Sequence, residues 1–346
     1  MYNIVINGRF LTQSASGVQR FAFEIARRLR QLYPDSIVIC PSQIIQKKWA
    51  VELQAHIIGT KTGHLWEQWV LPRFMQKHPQ ALLINLGNTA PIFFSRHITV
   101  LHDVAFRAYP TNFHPLFAVW YRFMVAQMSR KARALVTVSH FSQSEIIHYY
   151  PQTKDKTYVI YNGLSLPICS KTNSVQPYFL FVGNLDPRKN LSTLLQAMML
   201  TSFDTPIKLK IVGASHKIFA KQALQLPPSV EILGAKDDTE LQQLYQHAIA
   251  LIYPSFYEGF GLPPLEAMSQ GCPCIVSDIP VLHEILGNAA YFVNPHHAQD
   301  IADAMTKLNK DITLRQSLQV RGWSQCKLYD WDKTAQQLYT IIEQNH

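Results

Sequence analysis

Apolar runs of four to six residues recur along this sequence, and nearly every one is followed by a segment whose apolar residues return at helical spacing. Runs that short suit strands buried on both faces, and strands alternating with helices build parallel α/β sheets. In the first half the pattern predicts strands at 2–7, 36–40, 81–85, 98–102 and 134–139. A helix at 18–32 would carry Phe21, Ile25, Leu29 and Leu32 on one face and turn Arg27, Arg28 and Arg30 largely outward. The alternation breaks at CSKTNSVQP, from Cys169 to Pro177, a polar stretch ending in proline that reads as an interdomain linker. It then resumes, with strands at 178–182, 207–212, 250–253 and 273–277 and helices at 191–199 and 241–247. A chain of 346 residues also exceeds what one core usually supports, so two α/β domains are expected, at 1–168 and 177–328.

Composition sets further bounds. Apolar residues make up 47% and charged residues 16%, which is globular. The first eleven residues have no basic region followed by a long apolar run and read as a first strand, not a signal peptide. No stretch approaches the ~18 apolar residues needed to span a bilayer, so a cytoplasmic location is expected. The five cysteines are scattered, and Cys272 and Cys274 flank a proline in an apolar run, which suits neither a disulfide framework nor zinc; all five are expected to be reduced packing residues. Charge is uneven: residues 1–170 carry a net +11 and residues 171–346 a net −2. A basic first half suggests contact with something anionic: a phospholipid leaflet, a lipid pyrophosphate or nucleic acid. The plain alternative is a solvated basic surface, and no recognition motif supports nucleic acid.

Two segments could carry chemistry. FVGNLDPRKN, from Phe181 to Asn190, runs from a strand end through a loop to a helix that Asn190 can cap. Ligands of parallel sheets bind at such strand ends, where helix N–H groups face phosphate. Arg188 and Lys189 stand there and offer a fork and a point charge, the donors a diphosphate needs, although a solvated basic turn would look the same. The second segment, YPSFYEGFGLPPLEAMSQGCPCIVSD from Tyr253 to Asp278, is more specific. A strand end leads into a glycine-bearing loop, and a helix starts near Pro263 or Pro264 and stops at Gly271. Gly259 and Gly261 allow close approach of a ligand to the N–H groups of Phe260, Gly261 and Leu262. Glu258 on the loop and Glu266 in the first helical turn are acceptor-only groups suited to paired sugar hydroxyls, Glu266 at a ribose and Glu258 at a transferred sugar. A glutamate in a first turn is also favoured simply by the helix dipole.

The Glu258-to-Glu266 spacing in EGFGLPPLEAM, with VGNLDPRKN upstream and IYNG at 160–163, resembles glycosyltransferase family 4. The likeness is clearest across residues 178–295. It implies a GT-B fold, two Rossmann-like parallel-sheet domains facing a central cleft, with the 329–346 helix crossing back to the first domain. It also implies a retaining, metal-independent transferase in which Glu266 holds the nucleotide ribose and Arg188 and Lys189 the diphosphate. Gly183 and Asn184 join the donor-binding set with Glu258, Gly259, Phe260, Gly261 and Leu262. In the first half, NGRFLTQSASGVQR places Gly17 where similar enzymes face the donor phosphates; the glycine signal is short, and a pairing of Arg9 or Arg20 with ligand stays open. His102 and Asp103 follow a strand at a place where the family often has a histidine near the reacting sugar; a structural histidine is the alternative. VSHFSQSEI resembles a strand-to-helix turn facing the cleft, with Ser139 or Ser142 as a simple helix cap.

Other signals point away from chemistry. Asp330-Trp331-Asp332 spells D-x-D but precedes an amphipathic helix, where an aspartate caps, so no metal is expected there. Gly259, Gly261 and Pro264 miss the dinucleotide pattern because its last position is proline. His296 and His297 lack metal-ligand company. The aromatic stretch from Phe106 to Met128, with Phe113, Phe117, Trp120, Tyr121 and Phe123 followed by Arg130, Lys131 and Arg133, reads as core, with a membrane surface or lipid-linked acceptor as the alternative. Trp66, Glu67, Gln68 and Trp69 read as helix packing, with an acceptor role as the alternative.

The expected reaction is hexose transfer from a nucleotide-diphosphate sugar to a saccharide or lipid-linked saccharide, as in lipopolysaccharide assembly, at the inner face of the cytoplasmic membrane. No cofactor is expected beyond the donor itself. Likeness of GRFLTQSASGVQR and GFGLPPLEAM to bacterial surface-polysaccharide transferases favours mannose from GDP-mannose, with dTDP-rhamnose and UDP-sugars behind. An epimerase or phosphorylase of the same fold, or a non-catalytic nucleotide-sugar-binding protein, are the competing readings; an acceptor requirement separates them.

Overall fold

The computed structural model describes residues 3–110, 114–169, 175–213 and 227–346, with the Phe117 side chain also outside the described set. The chain forms two compact units, residues 1–163 with 330–346, and residues 164–329.

The first unit is a seven-stranded sheet in the order β3-β2-β1-β4-β5-β6-β7. Its strands are β1 (Ile4–Asn7), β2 (Ile37–Cys40), β3 (His56–Ile57), β4 (Leu82–Asn85), β5 (His97–Val100), β6 (Ala134–Thr137) and β7 (Thr157–Val159). All pairings are parallel. β1 is buried at every position, which its unbroken Ile-Val-Ile run anticipates. β3 and β7 were not predicted: β3 is two exposed residues long, and β7 is three residues. Neither carries an apolar run. The helix Gly17–Leu32 buries Phe21, Ile25 and Leu29, but Leu32 in its last turn is 40% exposed. Arg28 is not turned outward as expected, since Glu24 and Asp332 both pair with it, each at 2.5 Å.

The C-terminal helix Trp331–Asn345 belongs to this first unit. Asp330 caps it, accepting from the amides of Asp332 and Lys333. Trp331 lies against Gly163 so closely that a Cβ there would come within 2.5 Å of the Trp331 backbone nitrogen. Both aspartates of the D-x-D string are thereby engaged, one in a cap and one with Arg28.

The second unit is a six-stranded parallel sheet in the order β10-β9-β8-β11-β12-β13. Its strands are β8 (Tyr178–Val182), β9 (Lys208–Val212), β10 (Val230–Gly234), β11 (Leu251–Tyr253), β12 (Cys274–Ser277) and β13 (Tyr291–Val293). The core joins Phe179, Phe181, Ile211 and Ile252 to Leu194 and Met198 of the helix Leu191–Leu200 and to Ile301, Met305 and Leu308 of the helix Ala298–Lys310. Both sheets reverse their strand order beside their first strand, between β1 and β4 and between β8 and β11, the arrangement of doubly wound nucleotide-binding folds. Of the expected linker, residues 170–174 lie outside the described set, while Cys169 and Gln176 on either side bond to Ser269 and His247 of the second unit. The five cysteines are free thiols, and burial pushes Cys40 up to about 11 and Cys272 and Cys326 up to about 12.

Candidate active site

The reversal point of the second sheet carries the loops that hold the residues singled out in the second half of the sequence. β8 ends at Val182, and the loop after it carries Gly183, Asn184 and the turn Pro187–Lys189. β11 ends at Tyr253, and the loop after it carries Glu258, Gly259 and Phe260 before the helix Leu262–Ser269. Lys189 links the two loops. Its Nζ donates to Glu258 Oε1 at 2.5 Å and to the Tyr253 hydroxyl at 3.0 Å, and it sits 5.1 Å from the centre of the Tyr253 ring. Burial works against the ammonium charge, but Glu258 and Tyr253 more than offset it, so the Lys189 pKa lies above its ordinary value. The Tyr253 phenol is pushed up, first by burial and then by Glu258.

Arg188 is held by Asp186 through a forked contact, Nη2 to Oδ2 at 2.6 Å and Nε to both oxygens at 3.1 Å. Burial would raise the Asp186 carboxyl, but the Arg188 hydrogen bonds hold it below its usual range. Asp186 also accepts from the Arg188 amide, which starts the turn. Sequence reasoning missed Asp186, although an aspartate before proline is a turn signal.

Asn190 departs from its predicted role. It makes no side-chain cap; its backbone is left-handed at φ 57°, and its Nδ2 donates to the carbonyls of Pro254 at 3.0 Å and Pro295 at 2.7 Å. Its Oδ1 accepts from the Thr193 hydroxyl at 2.6 Å rather than from a helix amide, while the amide nitrogen serves the two carbonyls. With the Phe256 amide donating to the Arg188 carbonyl at 2.8 Å, it stitches the β8 and β11 loops into one surface. Asparagine tolerates the left-handed region because its short polar side chain bonds locally, so the residue type was the available signal.

Glu266 also shifts: the helix begins at Leu262, so Glu266 is its fifth residue and lies beyond the first turn, with no acid in that turn. The helix-dipole explanation for Glu266 is weaker accordingly. Tyr245, fully buried, donates to Glu266 Oε2 at 3.4 Å. Pro263 and Pro264 have no N–H, which leaves the loop amides before them and that of Leu262 as the donors at this end. Gly261 takes φ 102°, open to glycine and strained for other residues, and a Cβ on it would meet Leu282 at 2.7 Å. Phe260 packs edge-on against Tyr329 at 5.6 Å. A separate cavity of about 200 Å³, lined by Gln246, Gln270, Pro273, Arg315 and Gln319, opens at the amino-terminal end of the same sheet, opposite these loops.

Gly17, His102 and Asp103 lie in the first unit. Gly17 begins the helix Gly17–Leu32 and is exposed. His102 is buried; its Nε2 donates to the Leu86 carbonyl at 3.1 Å, and its amide donates to Asn88. Burial lowers its pKa, so the imidazole is neutral, with Leu86 and Asp103 opposing that shift. Asp103 Oδ1 accepts from the Ala105 amide at 3.0 Å. Ser139 caps the helix His140–Tyr149 by accepting from Ser142. Arg9 is buried, and Trp69, expected to pack, is 52% exposed. Among the described residues no group of three or more His, Cys, Asp or Glu is placed to hold a metal ion.

Comparison with known proteins bears on the family and the fold. The family profile described as Glycosyltransferase Family 4 matches residues 15–166, and that described as Glycosyl transferases group 1 matches residues 170–322. The O-antigen chain mannosyltransferase B of Escherichia coli is 31% identical over 71% of this chain and 70% of its own length. An O-antigen chain mannosyltransferase of Salmonella typhimurium is 29% identical over 89% of this chain and 91% of its own. A glycosyltransferase of Rickettsia africae superposes with a TM-score of 0.73 at 18% identity, covering 99% of this chain and 98% of that one. HepE of Anabaena in complex with UDP-glucose does so with a TM-score of 0.78 at 16% identity, over 99% of each. Those structural likenesses show the GT-B fold. Sequence identity and profile together establish that the chain belongs to glycosyltransferase family 4.

Proposed function

We propose that this glycosyltransferase moves a hexose, with mannose favoured, from a nucleotide-diphosphate sugar to a saccharide or lipid-linked saccharide in the assembly of a cell-surface polysaccharide. The observation that carries the reading is the joined pair of loops at the β8/β11 reversal, where Arg188, Lys189, Glu258 and Glu266 flank a glycine-bearing turn. Arg188, Lys189 and the loop amides would take the diphosphate, Glu266 the ribose, and Glu258 the transferred sugar. The preference for mannose rests on the relatives named as O-antigen mannosyltransferases.

In the proposed reaction the bond between the anomeric carbon and the phosphate oxygen breaks, and negative charge grows on the leaving diphosphate. The acceptor hydroxyl oxygen bonds to the anomeric carbon on the face the diphosphate leaves, and its proton passes to the diphosphate. Positive side chains aimed at the developing charge supply the stabilisation, typically about 3 to 4 kcal/mol for each such donor. With that charge met by Arg188 and Lys189, the proposal needs no metal.

We further propose a peripheral contact with an anionic leaflet through the helix Pro115–Lys131. Leu116, Val119, Trp120 and Phe123 follow helical spacing and are 43 to 76% exposed, and Arg130 and Lys131 close the helix. An apolar stripe beside cations is the composition that binds such surfaces. The predicted Phe113 and the Phe117 side chain lie outside the described residues. Among the described residues no helix is long and apolar enough to cross a membrane.

The test is a transfer assay with GDP-mannose, dTDP-rhamnose and UDP-glucose against lipid-linked saccharides, run with and without EDTA. Mannose incorporation with the α configuration of the donor retained, unchanged by EDTA, is expected. Inversion, an EDTA-sensitive rate or transfer only from another sugar would refute the corresponding part.

A further inference from the structure

The first unit has a polar site of its own where its strand order reverses. β1 and β4 flank that reversal, and each ends in an asparagine, Asn7 and Asn85, joined Nδ2 to Oδ1 at 2.9 Å. Beside them is Glu67, with its side chain 1% exposed. Its Oε1 is crowded with donors: Asn7 Nδ2 at 2.8 Å, Arg9 Nε at 3.1 Å and Thr89 Oγ1 at 2.9 Å. Its Oε2 accepts no hydrogen bond, and the His64 Nδ1 near it stands at 3.5 Å. That ion-pair distance is too long for a good hydrogen bond, and a buried acceptor short of donors costs about 1 to 3 kcal/mol. Burial acts to neutralise this carboxyl, but Arg9, His64 and Asn7 outweigh it and keep it ionised.

Local backbone and shape point the same way. Glu67 lies in a π-helical turn, Trp66–Val70, a widened turn frequent at functional sites. Asn7, Arg9, Gln13, Glu67, Gly87 and Thr89 line a small concavity whose free space, about 10 Å³, admits one water-sized group. An ionised carboxylate can only accept, and a guanidinium can only donate. A single hydroxyl, donor and acceptor at once, satisfies both.

We propose that this pocket is the subsite for one hydroxyl of the saccharide acceptor, with Glu67 accepting from that hydroxyl and Arg9 donating to it, so that Glu67 sets which sugar epimer fits. Naming the saccharide as the acceptor rests on the transferase reading above. Pocket and ligand chemistry do not.

Gly87 offers a probe that spares the fold, because a Cβ there meets no atom within 4 Å and its φ is not in the left-handed region. Gly87→Leu should therefore fill the mouth of the pocket while circular dichroism and Tm stay as in the parent. Binding of methyl α-mannoside, methyl α-rhamnoside, methyl α-galactoside and methyl N-acetyl-α-glucosaminide would be titrated by saturation-transfer NMR. The expected result is binding of at least one glycoside, weakened tenfold or more by Gly87→Leu and by folded Glu67→Gln, with GDP-mannose affinity by calorimetry unchanged in Gly87→Leu. No glycoside binding by the parent protein, unchanged affinity in Gly87→Leu, or loss of GDP-mannose affinity in that variant would overturn the assignment. Failure of the parent to bind any nucleotide sugar would instead count against the donor reading, with the glycoside titration still deciding the pocket.

Discussion

Lys189 and Glu258, 69 residues apart in sequence, meet at 2.5 Å and tie the loop after β8 to the loop after β11. Neither side chain is more than 18% exposed, so the contact is shielded enough to matter. Because the folded-state pKa of Lys189 is raised, its contribution to stability is fully present below the unfolded value of 10.5 and is lost only as pH rises through the higher folded value. The pair should therefore hold unchanged from pH 6 to 9. Lys189→Met leaves Glu258 without its cation, and denaturant unfolding at pH 7 should show the second unit less stable by about 3 kcal/mol. Equal stability would mean that the pair contributes nothing to the loops.

Asn190 should be hard to replace. Asn190→Gly relieves the left-handed backbone but removes both amide bonds, which predicts a loss of about 2 kcal/mol. Asn190→Asp keeps the shape and sets a carboxylate against the carbonyls of Pro254 and Pro295, so it should be the worse of the two. Thermal unfolding of the two variants checks the order; an aspartate variant as stable as the parent would refute the stitching role.

Acid should act on the first unit through Glu67. Its folded pKa is lowered, so its contribution is present above the ordinary value of 4.5 and is lost as pH falls through the folded value. Unfolding free energy should therefore drop below pH 4.5, and the drop should be shallower in Glu67→Gln, which starts less stable by about 3 to 5 kcal/mol because the buried Arg9 loses its counter-charge. Parallel pH profiles for the two proteins would contradict this.

The sheets were legible because buried parallel strands demand unbroken apolar runs: β8 matches its predicted span, β2 and β4 are shorter by one residue at their starts, and β1, whose predicted start at Tyr2 lies outside the described residues, runs from Ile4. Edge strands β3, β7, β10 and β13 were not, since a half-covered strand needs no such run. At the site, Arg188, Lys189, Glu258 and Glu266 could be read from loop glycines and charge. What escaped was pairing: that Asp186 would claim Arg188, that Glu258 would claim Lys189, and that the Asn190 amide nitrogen would serve two distant carbonyls instead of Asn190 accepting from a helix amide. Glu67 was read first as helix packing, with an acceptor role only as the alternative, because a glutamate between two tryptophans looks like one turn of a packed helix; only tertiary contacts reveal its buried charge.

The exposed stripe on the helix Pro115–Lys131 should govern membrane contact. Flotation with phosphatidylglycerol vesicles should carry the parent protein upward, and Trp120→Ser with Phe123→Ser should cut the floated fraction severalfold at unchanged Tm. Equal flotation of parent and double variant, or none for the parent, would remove the leaflet from the account.

The most direct measurement is calorimetric titration of the protein with GDP-mannose, dTDP-rhamnose and UDP-glucose, repeated with Arg188→Ala and Glu266→Ala. The loops at the β8/β11 reversal predict saturable binding of at least one of the three, weakened by roughly 10- to 100-fold in each variant, since a charge-assisted hydrogen bond is worth about 1.5 to 3 kcal/mol. Binding of none by the parent, or affinities in both variants equal to the parent's, would contradict the donor site.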